Sequence, residues 1–148
     1  MEQKLWIEKI SFSRQKDESD RCLKYFQFDF VLMVTTVCFV DELGKTLMEA
    51  HRVLSDRGVL IIGFVDRNSK MVKTYLQEQQ ENVFHQEATF FSTDELVANM
   101  NQAGFADLTF NQTIFGTLNE TGQEEPVKSG YGKGSFVVIR GRKKTKES

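Results

Sequence analysis

Four short stretches of this 148-residue chain hold the side chains best suited to chemistry. Thr35, Thr36 and Val37 leave the end of an apolar run, FDFVLMV. Adjacent hydroxyls there can bond a polar ligand or their own backbone. Asp66 and Arg67 leave a second run, VLIIGFV, where a carboxylate and a guanidinium can hold a polar substrate, cap a helix or form a local ion pair. His85 stands close to Glu87; an imidazole there can accept a proton near neutral pH or can simply be solvated. Tyr131 lies within GYGKG, Gly130 to Gly134, where glycines allow tight backbone and a phenol can wall a ligand or decorate a hairpin loop. Cys38 and Phe39 read as core, because nothing basic in sequence neighbours the thiol to lower its pKa. His51 reads as a structural helix residue. Cys22 and Cys38 are too few and too far apart for a disulfide framework, which points to a reduced, cytoplasmic setting. With only two histidines beside them, no metal site is expected.

Regular elements must carry these stretches. The runs Phe28–Val34 and Val59–Val65 lack alternation, as strands buried on both faces do, and this suggests a parallel sheet covered by helices. Between them Leu43, Leu47, Ala50, His51 and Leu54 recur at helical spacing. Asp41 is expected to cap that helix and Gly58 to end it. Met71 to Glu81 can be helical. Ser92 and Glu95 form a capping box, and Gly104 stops the helix it opens. Leu108, Phe110 and Gln112 begin an alternating strand. Thr117 to Gly134 reads as a long polar loop, Phe136 to Ile139 as the last strand, and the basic residues after it as a tail. Met1 to Phe12 fits a strand or a short helix, and Ser13 to Arg21 an exposed loop. Hydrophobic content of 40% with a net charge of -2 is ordinary for a soluble domain. No apolar run approaches the ~20 residues that span a bilayer, and no leader is apparent. Nucleic-acid binding is not expected, because no aromatic residues are interleaved in the basic tail.

The order of these pieces resembles the second half of the class I S-adenosylmethionine-dependent methyltransferase fold, close to the type 11 small-molecule group. FDFVLMVTT resembles the family's fourth strand and the loop leaving it. EAHRVLSDRG followed by VLIIGF resembles the helix into the fifth strand, with Asp56-Arg57-Gly58 in place of the usual Pro-Gly-Gly. STDELVANMNQAGF resembles the helix before the sixth strand, and GYGKGSFVVIRGRKK the closing strand with its glycine-rich approach. The family's glycine-rich cofactor loop follows its first strand and opens a helix; the one GxGxG string here, GYGKG at Gly130 to Gly134, precedes the last strand instead, so that loop is missing from its expected place.

The resemblance implies a truncated Rossmann-like α/β domain over residues 28–144, with a mixed sheet, helices on its faces and an antiparallel last strand. A divergent segment 1–27 would precede it and a basic tail 145–148 would follow. It implies S-adenosylmethionine as cofactor, approached by Thr35, Thr36 and Val37, and an unknown small-molecule acceptor near Asp66, His85 and Tyr131. The two loops Asp66–Thr89 and Gly116–Gly134 would then share a rim with Thr35. Activity of the isolated chain is expected to be weak or absent; the alternative is a non-catalytic interaction or oligomerisation module. The strand Phe28–Val34 would lie at an edge, covered by Leu5–Phe12 or paired with a second copy in a homodimer.

Overall fold

The computed structural model describes residues 28–79, 88–116 and 124–145. Five strands form one sheet: β1 (Phe28–Val34), β2 (Leu54–Val65), β3 (Phe105–Thr113), β4 (Lys128–Ser129) and β5 (Phe136–Lys143), in the spatial order β1-β2-β5-β3-β4. β1 runs parallel to β2, with Leu32 opposite Ile61, while β5 is antiparallel to both β2 and β3. Thus β1, β2 and β3 point one way and β5 the other, the mixed sheet with a reversed last strand that the sequence predicts. Three helices connect them: α1 (Leu43–Val53), α2 (Lys70–Gln79) and α3 (Thr93–Ala103). A single 3-10 turn spans Val37–Phe39.

Strand pairing sorts the residues onto two faces, because side chains alternate along a strand. Met33, Leu60, Ile62, Val137 and Ile139 share one face and are buried there with Leu43, Leu47 and Ala50 of α1 and Leu96 and Met100 of α3. The apolar residues of α1 repeat at three- and four-residue spacing and so form one stripe on that face. The opposite face carries the row Leu32, Ile61, Arg140, Thr109 and the row Val34, Gly63, Val138, Asn111. On β1 this face is open: Phe30 is 67% exposed, Leu32 65% and Val34 45%.

The capping box is present in full. Ser92 accepts from the Glu95 N–H at 3.2 Å, and the Glu95 carboxylate accepts from the Ser92 N–H at 2.8 Å. The Ser92 backbone bond holds the Glu95 carboxyl below its usual range, helped by the Ser92 side chain and the Arg67 guanidinium. This part of the stability is present above the ordinary glutamate pKa and is lost as pH falls through the depressed one. Gly104 ends α3 with φ 96, the left-handed conformation glycine adopts freely.

Three expectations are corrected. Asp41 caps nothing: the residue before α1 is Glu42, and it makes no side-chain cap bond. Gly58 does not end the helix, since α1 stops at Val53 and β2 begins at once with Leu54. Gly58 lies instead where the β1–β2 register shifts, beside Arg57 at φ 134. A Cβ at Gly58 would stand 2.8 Å from Leu54 Cβ and 2.9 Å from the Ser55 carbonyl oxygen, so the close turn of chain there needs glycine. The supposed basic tail is largely strand. Arg140, Arg142 and Lys143 belong to β5, and the buried Lys143 ammonium donates to the Leu54 carbonyl at 2.7 Å. Burial lowers the Lys143 pKa, with Asp56 opposing that shift. Cys22, His85 and the segment Leu5–Phe12 lie outside the described residues. No helix among the described residues is long and apolar enough to cross a membrane.

Candidate functional site

The parallel strands end together. Val34 pairs with Gly63, Val65 pairs with Phe136 at the start of β5, and Phe136 pairs with Thr113 at the end of β3. Thr35, Asp66 and the Gly130–Gly134 loop therefore sit on one rim of the sheet, the carboxyl end at which open α/β sheets bind ligands.

A cavity of about 470 Å³ opens on this rim. Asp66, Ser69, Lys70 and Lys73 line it from the end of β2 and the start of α2. Thr93 and Asp94 line it from the start of α3, and Tyr131, Lys133 and Gly134 from the glycine loop. Asp66 and Tyr131, singled out in the sequence for this side, are brought together. Among the described residues the cavity does not include Thr35, Thr36 or Val37.

Asp66 is 6% exposed. One carboxylate oxygen accepts from the Asn68 N–H at 2.8 Å. The other accepts from the Thr93 hydroxyl at 2.5 Å and the Thr93 N–H at 3.3 Å. The side chain thus fastens the end of β2 to the start of α3, whose cap is Ser92, rather than capping the helix that follows it. Arg67 pairs with Glu95 at 3.0 Å, and both are exposed enough for the pair to add little stability. Tyr131 packs on Phe110 with ring centroids 4.8 Å apart and donates to Asp94 at 3.3 Å. The Asp94 carboxylate, foremost, raises the phenol's pKa, so the hydroxyl stays a donor at neutral pH.

The loop that carries Tyr131 is held by Gln112, which the sequence marks only as a strand residue. Its buried side-chain oxygen accepts from the Lys133 N–H at 2.9 Å and the Gly134 N–H at 2.7 Å, and its amide donates to the Ser129 carbonyl at 3.3 Å. A buried glutamine in an otherwise apolar strand face was the available signal, because such a group must find partners. Gly134 itself admits no side chain. A Cβ there would stand 2.6 Å from the Thr113 carbonyl oxygen and 2.9 Å from its nitrogen, and backbone atoms cannot swing away. Gly134→Val is therefore expected to displace the loop and cost about 2–3 kcal/mol, within the range for forced overpacking; a denaturant midpoint unchanged from the parent would refute this.

At Thr35 the backbone has φ 53, a conformation that costs a β-branched residue about 1–3 kcal/mol. The Thr35 N–H donates to the Gly63 carbonyl at 2.7 Å, and the hydroxyls of Thr35 and Thr36 donate back to the Val34 carbonyl at 2.8 Å and 3.1 Å. Val37 is 1% exposed. The Cys38 thiol is half-buried, donates to the Thr35 carbonyl at 2.9 Å and has its pKa raised by burial, which disfavours the reactive thiolate. With both hydroxyls donating locally, Val37 in the core and the one GxGxG string, Gly130 to Gly134, leading into the last strand rather than a helix, the described residues do not complete a cradle for S-adenosylmethionine. A second, larger cavity of about 700 Å³ lies at the opposite rim, beside Arg57, Asp107, Arg142 and Lys144.

Comparison with known proteins agrees with the fold. The type 11 methyltransferase-domain profile matches residues 10–62. An uncharacterized protein of Methanocaldococcus jannaschii is 38% identical over 117 residues, covering 79% of this chain and 57% of that protein. A crystal structure from Thermotoga maritima, described as a SAM-dependent methyltransferase and possible histamine N-methyltransferase, is 50% identical with a TM-score of 0.77. That match covers 82% of this chain and 59% of the Thermotoga chain. A SAM-dependent methyltransferase from Methanosarcina mazei shares the fold at 17% identity and a TM-score of 0.57, covering 87% of this chain and 65% of its own. The chain thus spans less than two thirds of the length of each of these three relatives. In its mixed sheet and reversed last strand the chain has the class I S-adenosylmethionine-dependent methyltransferase fold, and residues 10–62 match the type 11 methyltransferase-domain profile.

Proposed function

We propose that this chain forms the acceptor side of a methyltransferase acting on a small molecule, with residues 28–144 as its working unit. The observation that carries the reading is the carboxyl-rim cavity, where Tyr131, Asp94 and Lys133 meet above the ends of β2 and β3. S-adenosylmethionine would supply an activated methyl group. This chain's own residues would bind and align the acceptor and exclude water, which is most of what such a transfer asks of a protein. Tyr131, hydrogen-bonded to Asp94, would form one wall, with His85 as a further contributor from outside the described residues. Asp66 has its carboxylate engaged and would act by positioning α3 rather than by touching the acceptor. Histamine is named as a possible acceptor for the Thermotoga protein; the acceptor of this chain is set by the cavity's own side chains.

Binding of S-adenosylmethionine by the isolated chain is expected to be weaker than ~10 μM, about -7 kcal/mol, because only part of the cofactor's contacts would be available. Calorimetric titration of the purified chain measures this directly. A tighter constant would show that another segment has taken over the role of the glycine-rich loop.

A second reading is favoured by one observation, the open β1. In it the chain is a non-catalytic module that self-associates through the Phe28–Val34 edge, where Phe30, Leu32 and Val34 face solvent. Two copies related by a two-fold axis would pair their β1 strands antiparallel and extend one sheet through both.

A further inference from the structure

We propose that the carboxyl-rim cavity selects an acceptor bearing an anionic group, a carboxylate or a phosphate, held by Lys70, Lys73 and Lys133; this rests on reading that cavity as the acceptor site. Lys70 and Lys73 stand three residues apart on α2, a spacing that puts them on one side of the helix. Lys133 approaches from the glycine loop across the cavity, and all three are exposed and line it. The ion pairs among the described residues join Lys45 to Glu42, Arg52 to Glu49 and Arg67 to Glu95, so none of the three lysines is neutralised by one.

The cavity's two acids are already engaged. Asp66 accepts three hydrogen bonds from Asn68 and Thr93, and Asp94 accepts from Tyr131. Both acids keep their negative charge while accepting from these neutral donors, so the three lysines outnumber the two carboxylates by one and leave the cavity net positive. The amino end of α2 adds to it, since the first N–H groups of a helix lack intrahelical partners and carry partial positive charge. A bound anion would gain three ammonium contacts. A cationic acceptor would lose its hydration beside three like charges.

The test is an amide-resolved NMR titration of the full chain with glycerol 3-phosphate, inorganic phosphate and histamine, in low-salt buffer without S-adenosylmethionine. The two phosphates are expected to shift the amides of Lys70, Met71, Gly132 and Lys133 saturably, and salt should weaken them. Histamine should leave those amides in place. The double variant Lys70→Ala/Lys73→Ala and the single variant Lys133→Ala should each weaken phosphate binding about ten-fold or more. All three positions are exposed, so the variants should keep the parent's thermal transition. The proposal is overturned by unsaturable shifts, by preference for histamine, by unchanged binding in the variants, or by shifts at Arg57 and Arg142 instead. Because the cofactor is left out, failure here does not depend on whether the chain binds S-adenosylmethionine.

Discussion

If two copies pair through β1, as the second reading holds, Leu32→Lys is expected to leave the chain a monomer. Leu32 lies mid-strand on β1, 65% exposed, flanked on the same face by Phe30 and Val34. β1 is hydrogen-bonded to β2 on one side, and among the described residues no strand pairs with its other side. An apolar edge with free backbone groups recruits another strand, and a lysine on the edge is the common natural remedy. In a two-fold pairing centred near Val31, Leu32 of each copy would face Phe30 of the other, so the substitution forces two ammonium groups into an apolar contact. The dissociation constant should rise about 100-fold, close to 3 kcal/mol. Sedimentation of parent and variant across a concentration series reads this out. A parent that stays monomeric throughout, with β1 amides exchanging as fast as those of a loop, would remove the dimer.

The second large effect concerns Asp66. Asp66→Ala is expected to lower stability by about 3 kcal/mol, because it removes three hydrogen bonds to a buried carboxylate and leaves the Thr93 and Asn68 donors without partners. In a chain of this size that amounts to a fall of roughly 6–12 °C in melting temperature. Asp66→Asn, which keeps one acceptor oxygen, should lose less. Equal losses from the two substitutions would mean that one acceptor oxygen in the same shape contributes nothing, and would refute this bond-by-bond account. The loss should be accompanied by faster exchange of the Thr93 amide, since that N–H points at the missing oxygen.

Much of this architecture is legible in the sequence where one local signal decides the outcome. β1 ends at Val34 as its apolar run does, and the Ser92–Glu95 box marks the start of α3 to the residue. Misreadings arose where two signals compete. Gly58 resembles a helix stop, yet tertiary pairing of Leu54 with Phe28 begins β2 before it and turns the glycine into a register-shift residue. Arg140 and Arg142 read as tail because they are charged. They alternate with Gly141 and Lys143 on an open sheet face, and a strand with one solvated face reads polar at every second position.

The site shows the same division. Asp66 and Tyr131 could be placed on one rim from strand direction alone. The lysines at 70, 73 and 133 could not be grouped, because they meet only after β5 has reversed and carried the glycine loop over α2. Gln112 was hidden for a different reason: alternation assigns a side to a residue but says nothing about which backbone groups will need it.

The anchoring of the loop has a consequence for how this rim can vary. Glu125 accepts from the N–H groups of Phe115 and Gly116 at 3.0 Å and 2.9 Å, and Gln112 independently fixes Ser129, Lys133 and Gly134. The chain between Gly116 and Glu125 therefore leaves from and returns to clamped points that do not depend on its length. Insertions or deletions there are expected to leave Tyr131 and Lys133 in place, because Glu125 and Gln112 hold the chain on the cavity's side. A lineage can lengthen or shorten this stretch, or tag it experimentally, while the wall of the cavity stays in register.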